Sequence, residues 1–484
     1  LFKYWEYINI FTKSVINMRR TKIVCTIGPS CESPDMLVKL AFAGMNIARL
    51  NFSHGDYEEH QKRVDAINNI NKKISIPISI MLDTQGPEIR TGTFKDKVIL
   101  QDGAEVILTT RDVICDEKVI SVSYKKITET VKKGDLIFIV DGAIELVVEK
   151  VSGTDVYCKI NVGGEVGTKK NVNIPGAYVD LPSISDKDRE DIKWGAKNKM
   201  DFVAQSFVKS VQDVRDMKAL IKECGSDAHL IAKIEAIQAL DDIDEIIEEA
   251  DGIMVARGDL GVQIPIEQVP RWQKSIIKKC NEAGKPVIVA TQMLESMTKN
   301  PRPTRAEVTD IANAVLDGAD AVMLSGETAN GKYPLRAVEM MVKVVEKTEE
   351  KMEFMWLSKT LVSMKTEDAL SRSVCQTAYD LNASAIITCT SSGHTARLVS
   401  KHRPQTRIIA VTPNTREIKK LNLCWGVHAL RIPEPESTDS LINSAIDTAL
   451  EHEYLKKGDT IVLTAGIPFH IPGNINLMKV HDVE

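Results

Sequence analysis

Eight short runs of β-branched and other apolar residues recur between residues 22 and 327, and each closes on polar or charged positions. They read KIVCTIG (22–28), NIARLNFS (46–53), ISIMLDT (78–84), DFVAQSF (201–207), LIAKIE (230–235), GIMVARGD (252–259), PVIVATQ (286–292) and AVMLSGE (321–327). Stretches with helical periodicity, such as SPDMLVKLAFAG and DDIDEIIEEA, lie between most of them. Short apolar strands alternating with amphipathic helices specify βαβ units and a parallel sheet. Eight such units predict a closed (β/α)8 TIM barrel, an α/β fold whose strand C-termini face the functional mouth. Here those ends carry Arg49, Asn51, Ser53, Asp83, Lys233, Glu235, Arg257, Asp259, Thr291, Gln292, Ser325 and Glu327. A purely structural barrel needs few charges there.

The rhythm breaks once, after the third strand. KVILQDGAEVILTT, KGDLIFIVDGAIELVVEKV and DVYCKINVGGEV are strand-like and punctuated by Gly-Asp, Asp-Gly and Gly-Gly pairs. They predict a small β-barrel domain over 87–179, inserted in a barrel loop and placed to act as a lid. The barrel then comprises 20–86 and 180–352. Beyond it, ASAIITCTSSG (383–393), RIIAVTP (407–413), VHALRIP (427–433) and DTIVLTAG (459–466) alternate with helical runs, predicting an open α/β domain over 353–484. The aromatic-rich segment 1–19 reads as a helix packing on a neighbour.

Composition changes this picture little. A chain of 484 residues accommodates about three domains at ~150 residues each. A net charge of -5 argues against a broad basic face for nucleic acid, so anionic substrates must be held by a few placed cations. No run of 18 apolar residues predicts a membrane span. Nine cysteines without CxxC pairs, Cys25 and Cys31 among them, read as reduced thiols of a cytoplasmic protein.

Three constellations carry chemistry. Lys233 and Glu235 stand two apart on a strand and share a face, with Asp259 at the end of the next strand in sequence. Two carboxylates and an ammonium suit a Mg²⁺ site beside a phosphate or enolate; they equally suit a salt-bridge cluster. Arg49, Asn51 and Ser53 alternate on one face, and Asp83, Thr84, Glu88 and Arg90 follow on LDTQGPEIRTG. The arginines supply forks for phosphate or carboxylate. The oxygens of Asn, Ser, Asp and Thr suit a hard monovalent cation, or plain turn and capping chemistry. Thr291 offers a hydroxyl for proton relay, although a threonine at a strand end is commonly structural. GETANGKY (326–333) has Tyr333 where a phosphate-binding GxxxxGK loop needs Ser or Thr, and reads as a plain loop.

These stretches, together with RRTKIVCTIGPS, DLPSISDKD, AKIEA, ATQMLESM, RPTRAEVTD and DGADAVMLSGETANGKYP, strongly resemble the pyruvate kinase family over about residues 20–484. The resemblance implies phosphoryl transfer from phosphoenolpyruvate to ADP, giving pyruvate and ATP, with Mg²⁺ (or Mn²⁺) and K⁺, in a homotetramer. It implies that Glu235 and Asp259 hold the divalent metal. Arg49, Lys233, Gly258, Asp259 and Thr291 meet the substrate. Asn51, Ser53, Asp83 and Thr84 hold K⁺, while Arg90, Lys187 and His54 serve the nucleotide. Lys233, Arg49, Thr291 and Ser325 are the implied catalytic set. Thr390, Ser391, Ser392, Gly393, His394 and Thr395 resemble an effector phosphate loop. Two departures stand out. Gln85 replaces a common Lys. The effector region has Ser391 in place of a Lys, and Glu434 and Leu441 in place of the Trp and Arg of sugar-bisphosphate-activated forms. A rival barrel enzyme on pyruvate enolate, an Mg²⁺-dependent aldolase or lyase, would share the carboxylates but need neither lid, K⁺ oxygens nor Arg90 and Lys187. A non-catalytic relative would be free to lose Lys233, Glu235 or Asp259, and all three are present.

Overall fold

The computed structural model describes residues 19–74, 76–350, 352, 365–467 and 475–484. Of the helix expected over 1–19, only Arg19 falls within them. The eight apolar runs form strands Lys22–Thr26 (β1), Ile47–Asn51 (β2), Ser79–Asp83 (β3), Phe202–Val208 (β4), His229–Ile234 (β5), Gly252–Ala256 (β6), Val287–Ala290 (β7) and Ala321–Leu324 (β8). They close in this order into a parallel barrel, with β8 pairing β1. The strands are buried on both faces, which explains their continuous apolar texture. Val24, Ile47, Met81, Phe202, Ile231, Met254 and Ile288 fill the interior, while Ile23, Cys25, Leu50 and Leu82 belong to the cluster under the helices.

Local sequence sets the helix boundaries. Ser185 with Asp188, Ser210 with Asp213, and Thr304 with Glu307 form reciprocal capping boxes at the starts of Asp186–Lys197, Val211–Glu223 and Arg305–Leu316. The segment expected to be a loop at 326–333 begins with a single helical turn, Gly326–Ala329.

The insertion is a seven-stranded sheet running from Ile89–Arg90 at one edge to Val119–Ser121 at the other. A bridge between Thr91 and Val122 joins those edges. Gly92 N donates to Ser121 O at 2.8 Å and Ser123 N to Arg90 O at 2.9 Å, closing a small barrel around Leu108, Ile120, Ile137, Leu146 and Val156. Its returning leg is tied to the main barrel: Lys209 Nζ donates to Val179 O at 2.9 Å and Gln238 Nε2 to Ala177 O at 3.2 Å.

The C-terminal region has the four expected strands, Ala385–Cys389 (β9), Arg407–Thr412 (β10), Val427–Arg431 (β11) and Thr460–Ala465 (β12), plus an antiparallel edge strand Leu477–Asp482 (β13) that sequence reading missed. This region closes the barrel floor. Leu423 joins the interior cluster, Lys22 Nζ donates to Val427 O at 2.6 Å, and burial pulls that lysine down to about 8. Asp320, at the foot of β8, accepts from Arg403 Nη1 at 2.9 Å, Arg403 Nη2 at 2.8 Å and Trp425 N at 3.0 Å. Removing one partner of a buried pair strands the other charge, so Asp320→Ala is expected to cost about 3–5 kcal/mol. Calorimetry should show a lower and broader unfolding transition; an unchanged one would count against this role. All nine cysteines are free thiols, and no helix among the described residues is long and apolar enough to cross a membrane.

Candidate active site

The polar strand ends converge at one end of the barrel. Arg49, midway along β2, donates from Nε to Asp83 Oδ2 at 2.5 Å and from Nη1 to Thr26 Oγ1 at 2.8 Å. Asp83, on β3, is fully buried and also accepts from Lys233 Nζ at 3.0 Å. The ammonium donates to Ser206 Oγ at 2.7 Å and stands 2.9 Å from Glu235 Oε1. The shared face read from the two-residue spacing of Lys233 and Glu235 is thus observed. Glu235 Oε2 in turn accepts from Phe207 N at 2.7 Å.

These charges set one another's protonation. Burial disfavours the Lys233 ammonium, yet Asp83 and Glu235 outweigh it and hold its pKa above the ordinary lysine value. Burial likewise opposes the Asp83 carboxylate, and Arg49 and Lys233 reverse the balance to keep it ionised. For Asp259 the cation does not win. Burial first, then the neighbouring Glu235, push its carboxyl up to about 7 against the pull of Lys233, with Asp141 and Glu88 of the insertion and its entry adding to the push. Among the described residues no group of three or more His, Cys, Asp and Glu side chains is gathered for a metal. Glu235 and Asp259 are a pair of oxygen donors, as suits Mg²⁺, which takes one or two carboxylates and completes its octahedron with substrate and water.

Thr291 lies just beyond β7 with φ 70°, a left-handed backbone unusual for a β-branched residue and a mark of functional turns. Gly258 N donates to its Oγ1 at 2.8 Å, and the hydroxyl donates to Ala290 O at 2.6 Å. Arg257 turns away from the mouth to hold this bend, donating to Ala290 O at 3.1 Å and Thr291 O at 2.6 Å. Ser325 follows β8, and its N–H donates to Glu327 Oε2 at 2.7 Å while Glu327 Oε1 accepts from Leu294 N at 3.0 Å. Glu327 therefore ties the ends of β7 and β8 together and is not a group of the mouth.

Of the oxygen set, Asn51 and Asp83 are register partners across β2 and β3. Ser53 N donates to Asn51 Oδ1 at 3.1 Å, and Thr84 O accepts from Ser206 Oγ at 2.7 Å. Of the three residues assigned to a nucleotide, Lys187 meets Phe52 and His54 lies beside Asn51 in the turn after β2. Lys187 Nζ donates to Phe52 O at 2.8 Å and to Asp191 Oδ2 at 2.6 Å, and His54 Nδ1 is 3.4 Å from Asn51 Nδ2. Arg90 stays with the insertion, forked on Glu88 and donating to Lys169 O at 2.9 Å. Gln85 Nε2 also reaches Glu88, at 3.5 Å.

The segment Thr390 to Thr395 sits apart, running from the end of β9 into the first turn of the helix His394–Lys401, turned by Gly393 at φ 75°. Arg397 Nη2 donates to Ser392 O at 2.7 Å. Burial, and then Arg397, keep His394 below the ordinary histidine value and so neutral. Glu434 lines a cavity of about 430 Å³ with Pro413, Arg431, Ile432 and Pro433. Sequence reading overlooked Arg431, a cation that lines the same cavity as Glu434. It also overlooked Ser206 and the Phe207 amide. The polar pair Gln205-Ser206 interrupting an otherwise apolar strand was the signal for the first; nothing in the sequence marks a backbone N–H.

A family model described as pyruvate kinase, barrel domain matches residues 18–338, and one described as pyruvate kinase, alpha/beta domain matches residues 368–481. The pyruvate kinase of Clostridium acetobutylicum is 46% identical over 473 residues, covering 96% of this chain and 100% of that protein. That of Staphylococcus aureus is 47% identical over 470 residues, covering 96% of this chain and 80% of that protein. A crystal structure of a pyruvate kinase from Cryptosporidium parvum superposes with a TM-score of 0.91 at 40% identity, covering 96% of this chain and 97% of that one. The likeness spans barrel, insertion and C-terminal sheet at once, and by it the chain belongs to the pyruvate kinase family.

Proposed function

We propose that this chain transfers the phosphoryl group of phosphoenolpyruvate to ADP, giving pyruvate and ATP. The observation that carries the reading is Lys233, held between Asp83 and Glu235 with Arg49 on the far side of Asp83. Phosphoryl transfer asks the protein for positioning and charge neutralisation more than covalent chemistry, and this cluster concentrates cations at one point of an acidic chain. Arg49 and Lys233 bind the phosphoryl oxygens. The bond from phosphorus to the enol oxygen breaks as one forms to a terminal oxygen of ADP, and Lys233 steadies the enolate left behind. The Thr291 hydroxyl, with Ser325, passes a proton to the enolate carbon to complete pyruvate. Glu235 and Asp259 would hold Mg²⁺ or Mn²⁺, which supplies further neutralisation of phosphoryl and enolate charge. Asn51, Ser53, Asp83 and Thr84 would hold K⁺, and Lys187, His54 and Arg90 would receive ADP. Gly258, its N–H on Thr291, and Asp259 line the substrate side. The insertion acts as the lid, and the assembly is a homotetramer in the cytoplasm.

The test is pyruvate formation from phosphoenolpyruvate with ADP, Mg²⁺ and K⁺ varied in turn. Dependence on ADP separates this reading from an aldolase or lyase, which would release pyruvate without a nucleotide. Regulation follows from the second domain: Thr390, Ser391, Ser392, Gly393, His394 and Thr395 form a loop able to take one phosphate. Fructose 1,6-bisphosphate is expected to activate weakly or not at all, since Ser391 and the neutral His394 bring no cation and Glu434 sets a carboxylate in the cavity that Arg431 lines. Two lost charge-assisted contacts at about 1.5–3 kcal/mol each weaken binding by several tenfold steps. Strong activation at micromolar concentration and subsaturating phosphoenolpyruvate would overturn this.

A further inference from the structure

The register of β4 against β5 slips by one residue. Gln205 pairs Ala232 and Val208 pairs Ile234, so three steps on β4 match two on β5. The extra residue is a β-bulge, a feature that re-aims side chains and is over-represented beside active sites. Phe207 within it has φ 55°, a left-handed backbone for a bulky aromatic. The bulge turns Ser206 Oγ toward Lys233 Nζ and the Phe207 N–H toward Glu235 Oε2, each at 2.7 Å.

We infer that Ser206 is a positioning residue for Lys233, and that the bulge exists to hold the ammonium in place against the pull of its two carboxylate neighbours. Ser206 is 3% exposed. Its proton goes to Thr84 O at 2.7 Å, which leaves a lone pair facing the ammonium; Asp83 Oδ1 stands 3.3 Å away. The hydroxyl is the neutral contact among the three acceptors around Lys233. Without it the ammonium is drawn toward Asp83 and Glu235 alone, and the buried Thr84 carbonyl loses a donor. One side chain thus joins the phosphoryl-binding cation to two of the four oxygens assigned to K⁺. This inference rests on the phosphoryl-transfer reading above.

Ser206→Ala, Ser206→Cys and Ser206→Thr in the full chain test it. Cysteine nearly keeps the volume but is a poor acceptor, while threonine keeps the hydroxyl. In the Ala and Cys variants kcat is expected to fall about 10–100-fold, as when supporting partners of a site are removed. KM for phosphoenolpyruvate should stay within about threefold, the mark of a contact that matters mainly in the transition state. The half-saturating K⁺ concentration should rise, and Ser206→Thr should recover most of both. If Ser206→Ala does not fold, Ser206→Cys carries the test. A wild-type kcat and K⁺ requirement in Ser206→Cys overturns the inference, as does a loss confined to KM. If the unaltered enzyme forms no pyruvate, the catalytic reading fails and the role of Ser206 is judged by crystallography. A displaced Lys233 Nζ in Ser206→Ala then supports it, and an unmoved one overturns it.

Discussion

Replacing Lys233 by Met should lower kcat about 10²–10³-fold while the fold survives, because one preorganised electrostatic contact in a water-poor site is worth that much. The lysine stem is buried, so methionine keeps most of its packing and removes the charge. That charge is held in place from three sides, by Asp83, Ser206 and Glu235. Asp83 retains Arg49 and Glu235 retains the Phe207 N–H, so neither carboxylate is wholly orphaned, although stability should drop. Lys233→Arg is not a rescue. A planar fork cannot replace a compact ammonium whose three partners surround a point. Turnover and melting temperature measured together decide the matter: near-normal kcat in a folded Lys233→Met enzyme would remove this residue from the mechanism.

Exchanging K⁺ for tetramethylammonium at constant ionic strength should lower the rate on the order of 100-fold, again the scale of one fixed charge in the site. The proposed oxygen set has all four members: Asn51 and Asp83 face each other across β2 and β3, Thr84 follows Asp83, and Ser53 stands two residues beyond Asn51. Glu88 is central to the argument. By family resemblance a Lys stands here in K⁺-independent members, where its ammonium substitutes for the bound cation. Glu88 is instead paired with Arg90, and a carboxylate cannot take that part. Holding ionic strength fixed matters because screening alone alters the approach of anionic substrates. Full activity with the bulky organic cation as sole monovalent ion would refute the assignment.

Much of this was legible along the chain because barrels are written in local code. A strand buried on both faces must be continuously apolar, and its end must turn polar where it meets the mouth. Capping boxes such as Ser185 with Asp188 mark helix starts within four residues. The side-chain period of two places Lys233 and Glu235 on one face. What stayed hidden depends on partners distant in sequence. The edge strand Leu477–Asp482 is largely exposed and carries too little apolar signal to be recognised until β12 pairs with it. Arg257 looks like a mouth cation among the strand ends, yet it folds back onto the carbonyls of Ala290 and Thr291. The bulge at Ser206 and Phe207 is a mismatch between two strands, which neither strand encodes alone. The charge on Asp259 is set by burial and by Glu235 on the neighbouring strand, with smaller pushes from Asp141 and Glu88 of the insertion and its entry. Sequence alone determined which polar residues stand at the strand ends, since that follows from strand period and strand end; which of them enter the mouth, as Lys233 does and Arg257 does not, it left open. Only the tertiary structure decided which of them touch, because register, burial and charge balance are properties of pairs.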